Sequence, residues 1–226
     1  MITLTSEQDK AQLRKHALKL IEQDEFEGLI ILVDVLKETD FELKDKNKAL
    51  FWFSRRGNLD VVKYLVENGA DIHANNDYVL RCSALSGYLE IVKYLVEHGS
   101  DIHVLGNEAL RWAANNGHLD VVKYLIENGA DVNAVNDSAL SGAALNGHLE
   151  IVKYLVEHGA YIHSENNRAL IWAAERGYLG VVKYLVEHGA DIHAEDEYAL
   201  RGAAEHGHTK VVEYLQEVLK NDRSHQ

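Results

Sequence analysis

VVKYLVENGADIH, Val61 to His73, is the stretch on which the architecture turns, because it comes back. It returns as IVKYLVEHGSDIH from Ile91, VVKYLIENGADVN from Val121, IVKYLVEHGAYIH from Ile151 and VVKYLVEHGADIH from Val181, a step of 30 residues each time. An altered copy, VVEYLQEVLKN, starts at Val211. A degenerate one is legible near the N-terminus, where Gly28, Ile30, Val33, Leu36 and Leu43 match Gly57, Leu59, Val62, Leu65 and Ile72 at an offset of 29. A fixed period of this length marks a stacked-repeat architecture.

Each unit reads as two short helices. From Asn107, the residues Leu110, Ala113 and Ala114 share one helical face. Gly117 ends that helix, since a residue without Cβ takes the left-handed conformation at a helix C-terminus. Leu119, Val122, Leu125 and Ile126 mark the buried face of a second helix, Gly129 closes it, and Ala130 to Asp137 is expected to be a connecting loop. Helices of two or three turns are unstable alone in water, so neighbouring copies must stack to bury these faces. Polar Glu213, Gln216 and Lys220 on the last second helix suit a terminal cap. At the other end, a polar helix over about 6–21, capped by Ser6, and an apolar one over about 26–36 are expected to cover the first full repeat. The expected organisation is a cap over 1–46, five repeats over 47–196, and a C-terminal capping repeat with tail over 197–226.

The chain is 46% hydrophobic and 26% charged, without an apolar run long enough to span a bilayer. Polar Ser6 and the charges of Glu7, Asp9 and Lys10 leave no apolar signal-peptide core, and neither membrane association nor secretion is expected. Cys82 is the only cysteine, which excludes an intrachain disulfide and fits a reducing, cytoplasmic setting. A net charge of −13 repels nucleic acid. The recurring Lys63, Lys93, Lys123, Lys153 and Lys183 sit singly among acidic neighbours and make no basic stripe.

Residues 117 to 134, Gly-His-Leu-Asp-Val-Val-Lys-Tyr-Leu-Ile-Glu-Asn-Gly-Ala-Asp-Val-Asn-Ala, resemble the second half of an ankyrin repeat, and Leu110-Arg111-Trp112-Ala113-Ala114 resembles the start of its first helix. The resemblance covers about 47–219, and the style of the 30-residue unit resembles the ankyrin repeats of giant DNA viruses that infect amoebae. Ankyrin units usually run to about 33 residues with a Thr-Pro-Leu-His-x-Ala element. The residues missing here lie between Ala74 and Leu80, in the loop that projects as a β-hairpin finger in the family. The chain has no proline, and the family's histidine slot holds Phe51, Arg81, Arg111, Ser141, Ile171 and Arg201. The expectation is an all-α, ankyrin-type helix-turn-helix solenoid with shortened loops and little or no β-hairpin.

Thirteen histidines invite a metal reading. His73, His103, His163 and His193 share one loop position, but a zinc ligand must lie about 2.0–2.1 Å from the ion and stacked helices sit roughly 8–10 Å apart. Asn133 interrupts the series, which suits a side chain that bonds loop backbone. His98, His158 and His188 fall at second-helix C-termini, where positive charge suits the dipole. No Gly-x-Ser-x-Gly, phosphate-cradling glycine loop or His-Glu-x-x-His occurs, and nothing beside Cys82 marks a base. No catalytic residue, cofactor or metal is expected.

Leu, Val, Tyr and Gly positions are constant between copies; the varied ones fall on the exposed side of the first helix and in the loop. In ankyrin proteins this surface is the concave groove that binds partner proteins, and the resemblance implies the same use here. The candidate partner-binding residues are Trp52, Arg55, Arg56, Tyr78, Arg81, Leu85, Arg111, Trp112, Asn115, Leu145, Trp172, Arg176 and Tyr198. Trp52, Trp112 and Trp172 alternate with Cys82, Gly142 and Gly202, so large-against-small packing between layers competes with exposure as groove hot spots. The expected function is a monomeric protein-binding module. A passive spacer is the alternative, as is a host-targeting adaptor; after Leu219 only KNDRSHQ remains, too little for a recruitment domain of its own.

Overall fold

The computed structural model describes residues 43–223, with Gln12 and Lys15 from the segment before them. Of the expected helix over 6–21 only Gln12 and Lys15 are described, both helical; the rest of it, and the helix expected over 26–36, lie outside the described residues. The described residues form an all-α helical repeat solenoid without a strand. First and second helices alternate: α1 Leu43–Ser54, α2 Leu59–Glu67, α3 Ala74–Ser86, α4 Leu89–Glu97, α5 Val104–Asn116, α6 Leu119–Glu127, α7 Ala134–Leu145, α8 Leu149–Glu157, α9 Ser164–Glu175, α10 Leu179–Glu187, α11 Ala194–Glu205 and α12 Thr209–Arg223. They fall into two compact units, one of residues 43–83 and 90–100, the other of 84–89 and 101–223.

In the second helices from α2 to α10 the core face is made by two adjacent β-branched residues and a leucine. In the first unit these are Val61, Val62 and Leu65, then Ile91, Val92 and Leu95; in the second, Val121, Val122 and Leu125 begin the series. Each is at most 2% exposed, as is Leu110 on α5. Burying such a side chain stabilises by about 1.5–3 kcal/mol, which no isolated nine-residue helix obtains. The face differs from expectation at three residues: Val121 joins it, whereas Leu119 and Ile126 are only half-buried. The second helices end as anticipated, with Gly129 at φ 98° and the Ala130 N–H returning 2.9 Å to the Leu125 carbonyl. In α12 no such stop occurs, and the helix runs on to Arg223.

The loop is where the structure corrects the expectation most. Its last residues are wound, not irregular. Residues 75–77, 105–107, 135–137, 165–167 and 195–197 all have φ between 45° and 67° with positive ψ, one left-handed turn leading directly into a right-handed first helix. The turn closes on an i to i−4 bond, as from the Asn107 N–H to the His103 carbonyl at 3.2 Å. Its middle position is Asn76, Gly106, Asn136, Asn166 and Asp196, residue types that tolerate this region.

The third turn residue ties one repeat to the next. Asn107 Oδ1 accepts the Asp131 N–H at 3.1 Å, Asp137 the Tyr161 N–H at 2.8 Å and Asn167 the Asp191 N–H at 2.8 Å. Within the first unit Asn47 does the same for Asp71, at 2.7 Å. Two of the loop histidines lean on this residue as well: His73 Nδ1 lies 3.0 Å from Asp77 Oδ1, and His163 Nδ1 lies 3.2 Å from Asn167 Oδ1. Asn133 differs, its Oδ1 accepting the Tyr161 N–H at 3.2 Å.

Other repeated polar residues have equally local work. His98, His158 and His188 donate from Nδ1 to the Tyr94, Tyr154 and Tyr184 carbonyls at 2.7–2.8 Å, and Asn68 and Asn128 donate from Nδ2 to the Tyr64 and Tyr124 carbonyls. Lys63, Lys123 and Lys183, whose i−3 neighbour is Asp or Gly, lie 5.4–5.8 Å from the ring of Tyr94, Tyr154 and Tyr214 in the following repeat. Lys93 and Lys153 have Glu90 and Glu150 at i−3 and bond those at 2.8 Å.

Candidate partner-binding face

In the first unit the candidates gather around a residue the sequence did not mark as a site. Phe51 stacks on Tyr78, with centroids 5.1 Å apart and planes at 18°, and lies 5.8 Å from Trp52. The exposed Arg55 guanidinium lies 5.6 Å from the Phe51 ring, and Arg56 is exposed beyond it. Arg81 is 8% exposed: it lies 4.9 Å from the Tyr78 ring and donates to the Asn76 and Asn75 carbonyls at 3.0 and 2.9 Å. It therefore bonds carbonyls that the left-handed turn leaves open. The Tyr78 hydroxyl is held above its ordinary value first by its hydrogen bond to the buried Cys82 side chain and by the charge that group would carry.

In the second unit Arg111 repeats the role of Arg81, donating to the Gly106 and Leu105 carbonyls at 3.2 and 3.0 Å. Leu85, Trp112 and Leu145 are half-buried, while Asn115 and Arg176 are exposed. Asn115 Oδ1 accepts the Asn146 amide at 3.0 Å, and a Cβ on Gly142 would come within 3.1 Å of the same oxygen. Likewise a Cβ on Gly202 would meet Glu175 Cγ at 2.8 Å. The small residues that alternate with tryptophan thus accommodate the side chain one turn beyond it in the preceding repeat, Asn115 or Glu175.

Trp172 and Tyr198 come together. They line an open cavity of about 330 Å³ with Glu165, Arg168, Ile171, Glu175 and Glu195. Arg168, Trp172 and Glu175 follow at i, i+4 and i+7 on α9, one helical face; Glu195 and Tyr198 come from the start of α11. The Arg168 guanidinium lies 5.1 Å from the Trp172 ring and pairs with Glu165, and that of Arg201 lies 5.4 Å from Tyr198. Glu165, Arg168 and Glu195 were legible only as varied positions, because nothing in their spacing tells that the left-handed turn swings residue 195 beside α9. The same turn exposes Leu105 and Val135 at its tip, 51% and 52% accessible.

Among the described residues no group of three or more His, Cys, Asp or Glu side chains is placed to hold a metal ion. No described helix is long and apolar enough to cross a membrane. Helix pairs at a 30-residue step, latched through turn side chains, with a varied face along their first helices, define a helical repeat protein. Comparison with known families gives the kind: a model for ankyrin repeats in three copies matches residues 20–105, 83–136, 110–196 and 163–224. The chain belongs to the ankyrin-repeat family. Such repeats are generally protein–protein interaction modules, and the family is typically non-enzymatic. No curated protein matches the chain.

Proposed function

We propose that this chain binds a partner protein through its first-helix faces, with 47–196 as the repeat array between the caps 1–46 and 197–226, and that it carries out no catalytic step. One observation carries the reading. Large aromatic side chains, Trp52, Tyr78, Trp112, Trp172 and Tyr198, stay partly exposed at positions that vary between copies, whereas the stack keeps leucine at Leu65, Leu95, Leu125, Leu155 and Leu185 throughout. Partly exposed tryptophan and tyrosine are the side chains that dominate protein interfaces. Arg81 and Arg111 support the face indirectly, by bonding turn carbonyls, so the recognition proposed here rests on Trp52, Arg55, Arg56 and Tyr78 in one unit and on Leu85, Trp112, Asn115, Leu145, Trp172, Arg176 and Tyr198 in the other.

The acidic balance of the chain disfavours nucleic acid as the partner. We place the protein in the cytoplasm as a monomer, and, following the giant-virus style of its repeats, in the cytoplasm of an infected host. The test is affinity capture from such a cell with the wild-type chain and with a Trp112→Ala, Trp172→Ala, Tyr198→Ala variant of unchanged helical content. The variant is expected to lose the proteins the wild type retains. Recovery of the same proteins in the same amounts would remove the first-helix face as the binding surface.

A further inference from the structure

We infer that the α9–α11 cavity receives a lysine or arginine side chain from a basic segment of the partner protein, an assignment that rests on the proposed function above. Three carboxylates border the cavity, Glu165, Glu175 and Glu195, against the single guanidinium of Arg168. Arg168 pairs with Glu165. Glu195 accepts the Asn166 amide, and no ion pair reaches Glu195 or Glu175 among the described residues. Glu175 and Glu195 thus make no ion pair; Arg168 lies over the Trp172 ring beside them, and Arg201 lies over Tyr198 while donating to the Glu195 backbone carbonyl at 3.0 Å, not to its carboxylate.

A partner that covered this face with apolar surface would strip water from both carboxylates and return nothing, a large cost. A cation removes that cost and gains from the rings as well. The cavity already displays the chemistry, since Arg168 lies over Trp172 with its guanidinium paired to a carboxylate, and an incoming side chain would repeat that pairing against Glu175 and Glu195. At about 330 Å³ it is of a size for one long side chain, at the small end of ligand-binding clefts. The surrounding charge, −13 over the chain, draws a basic segment toward it.

The experiment is selection of a random displayed peptide library on the full chain, followed by titration of the selected peptides. Synthetic versions differ only in carrying Lys, Arg, norleucine or Glu at the central position. Selected peptides are expected to centre on Lys or Arg and to bind about tenfold more weakly to a Glu175→Gln, Glu195→Gln variant, with affinity falling as salt is raised. Unchanged thermal unfolding of that near-isosteric variant separates lost binding from lost fold. Basic peptides that bind the variant equally well overturn the assignment of the site. Peptides without basic enrichment, whose binding is lost on Trp112→Ala or Trp172→Ala, overturn the basic occupant and leave the first-helix face standing. Selection of no peptide overturns both.

Discussion

Val135 has the least favourable local conformation of the left-handed turns: a β-branched residue at φ 52°, half exposed, followed by Asn136 and Asp137 in the same region. The left-handed region costs an ordinary L-residue about 1–2 kcal/mol, and asparagine much less. Val135→Asn is therefore expected to raise stability by about 1 kcal/mol in urea unfolding; a loss of stability would show that Val135 is not left-handed in solution. Asn167 lies 5% exposed, accepting the Asp191 N–H. Asn167→Ala leaves that donor without its partner and is expected to cost about 1–3 kcal/mol. Asn, Gly or Asp at every middle position announces a turn that needs positive φ, whereas Leu105, Val135, Glu165 and Glu195 are side chains that no local rule places there.

At the scale of a helix pair, glycine has two separable duties. A methyl added at Gly189, where φ is 95°, would meet nothing within 4 Å, whereas a Cβ on Gly177 at φ 77° would lie 2.4 Å from the His208 ring. That ring also donates to the Glu175 carbonyl at 2.8 Å, so it cannot retreat freely. Gly189→Ala is expected to cost about 1–2 kcal/mol from backbone conformation alone, and Gly177→Ala a further 1 kcal/mol or more, roughly the cost of overpacking. Equal losses would dismiss the ring contact. The terminal helix carries a pH-sensitive fastening. His193 Nε2 lies 3.0 Å from Asp222 Oδ2, and hydrogen bonding to Asp222, followed by the charges of Asp191 and Glu197, raises the histidine above its ordinary value. The stabilisation is therefore complete below the unfolded-state value and is lost as pH rises through the folded one. With both partners half exposed it is small. Hydrogen exchange in the last turn of α12, corrected for its intrinsic pH dependence, is expected to quicken across that window in the wild type and to lose this dependence in Asp222→Asn.

At the scale of the whole molecule, stability is the sum of intrinsic repeat terms and nearest-neighbour interfaces. Removal of residues 134–163, one complete 30-residue period containing α7 and α8, brings equivalent positions together. The shortened chain is expected to remain helical and cooperative, with a urea m-value lower by roughly an eighth, in proportion to the surface lost. Global unfolding of the deletion product would contradict the modular account.

The period, the two-helix unit and the family are all visible in VVKYLVENGADIH and its returns, because stacking identical modules demands the same apolar and glycine positions every 30 residues. What the sequence determined by itself is thus whatever one repeat must supply to its neighbour through spacing. Only the tertiary structure decided how the shortened loop is closed, by a left-handed turn whose third side chain reaches a backbone N–H 24 residues on. It alone separated Arg81 and Arg111, which bond turn carbonyls, from Trp172, Glu175, Glu195 and Tyr198, which meet at one cavity. Both groups vary between copies; which of them meet is a matter of direction in space, which sequence spacing does not encode.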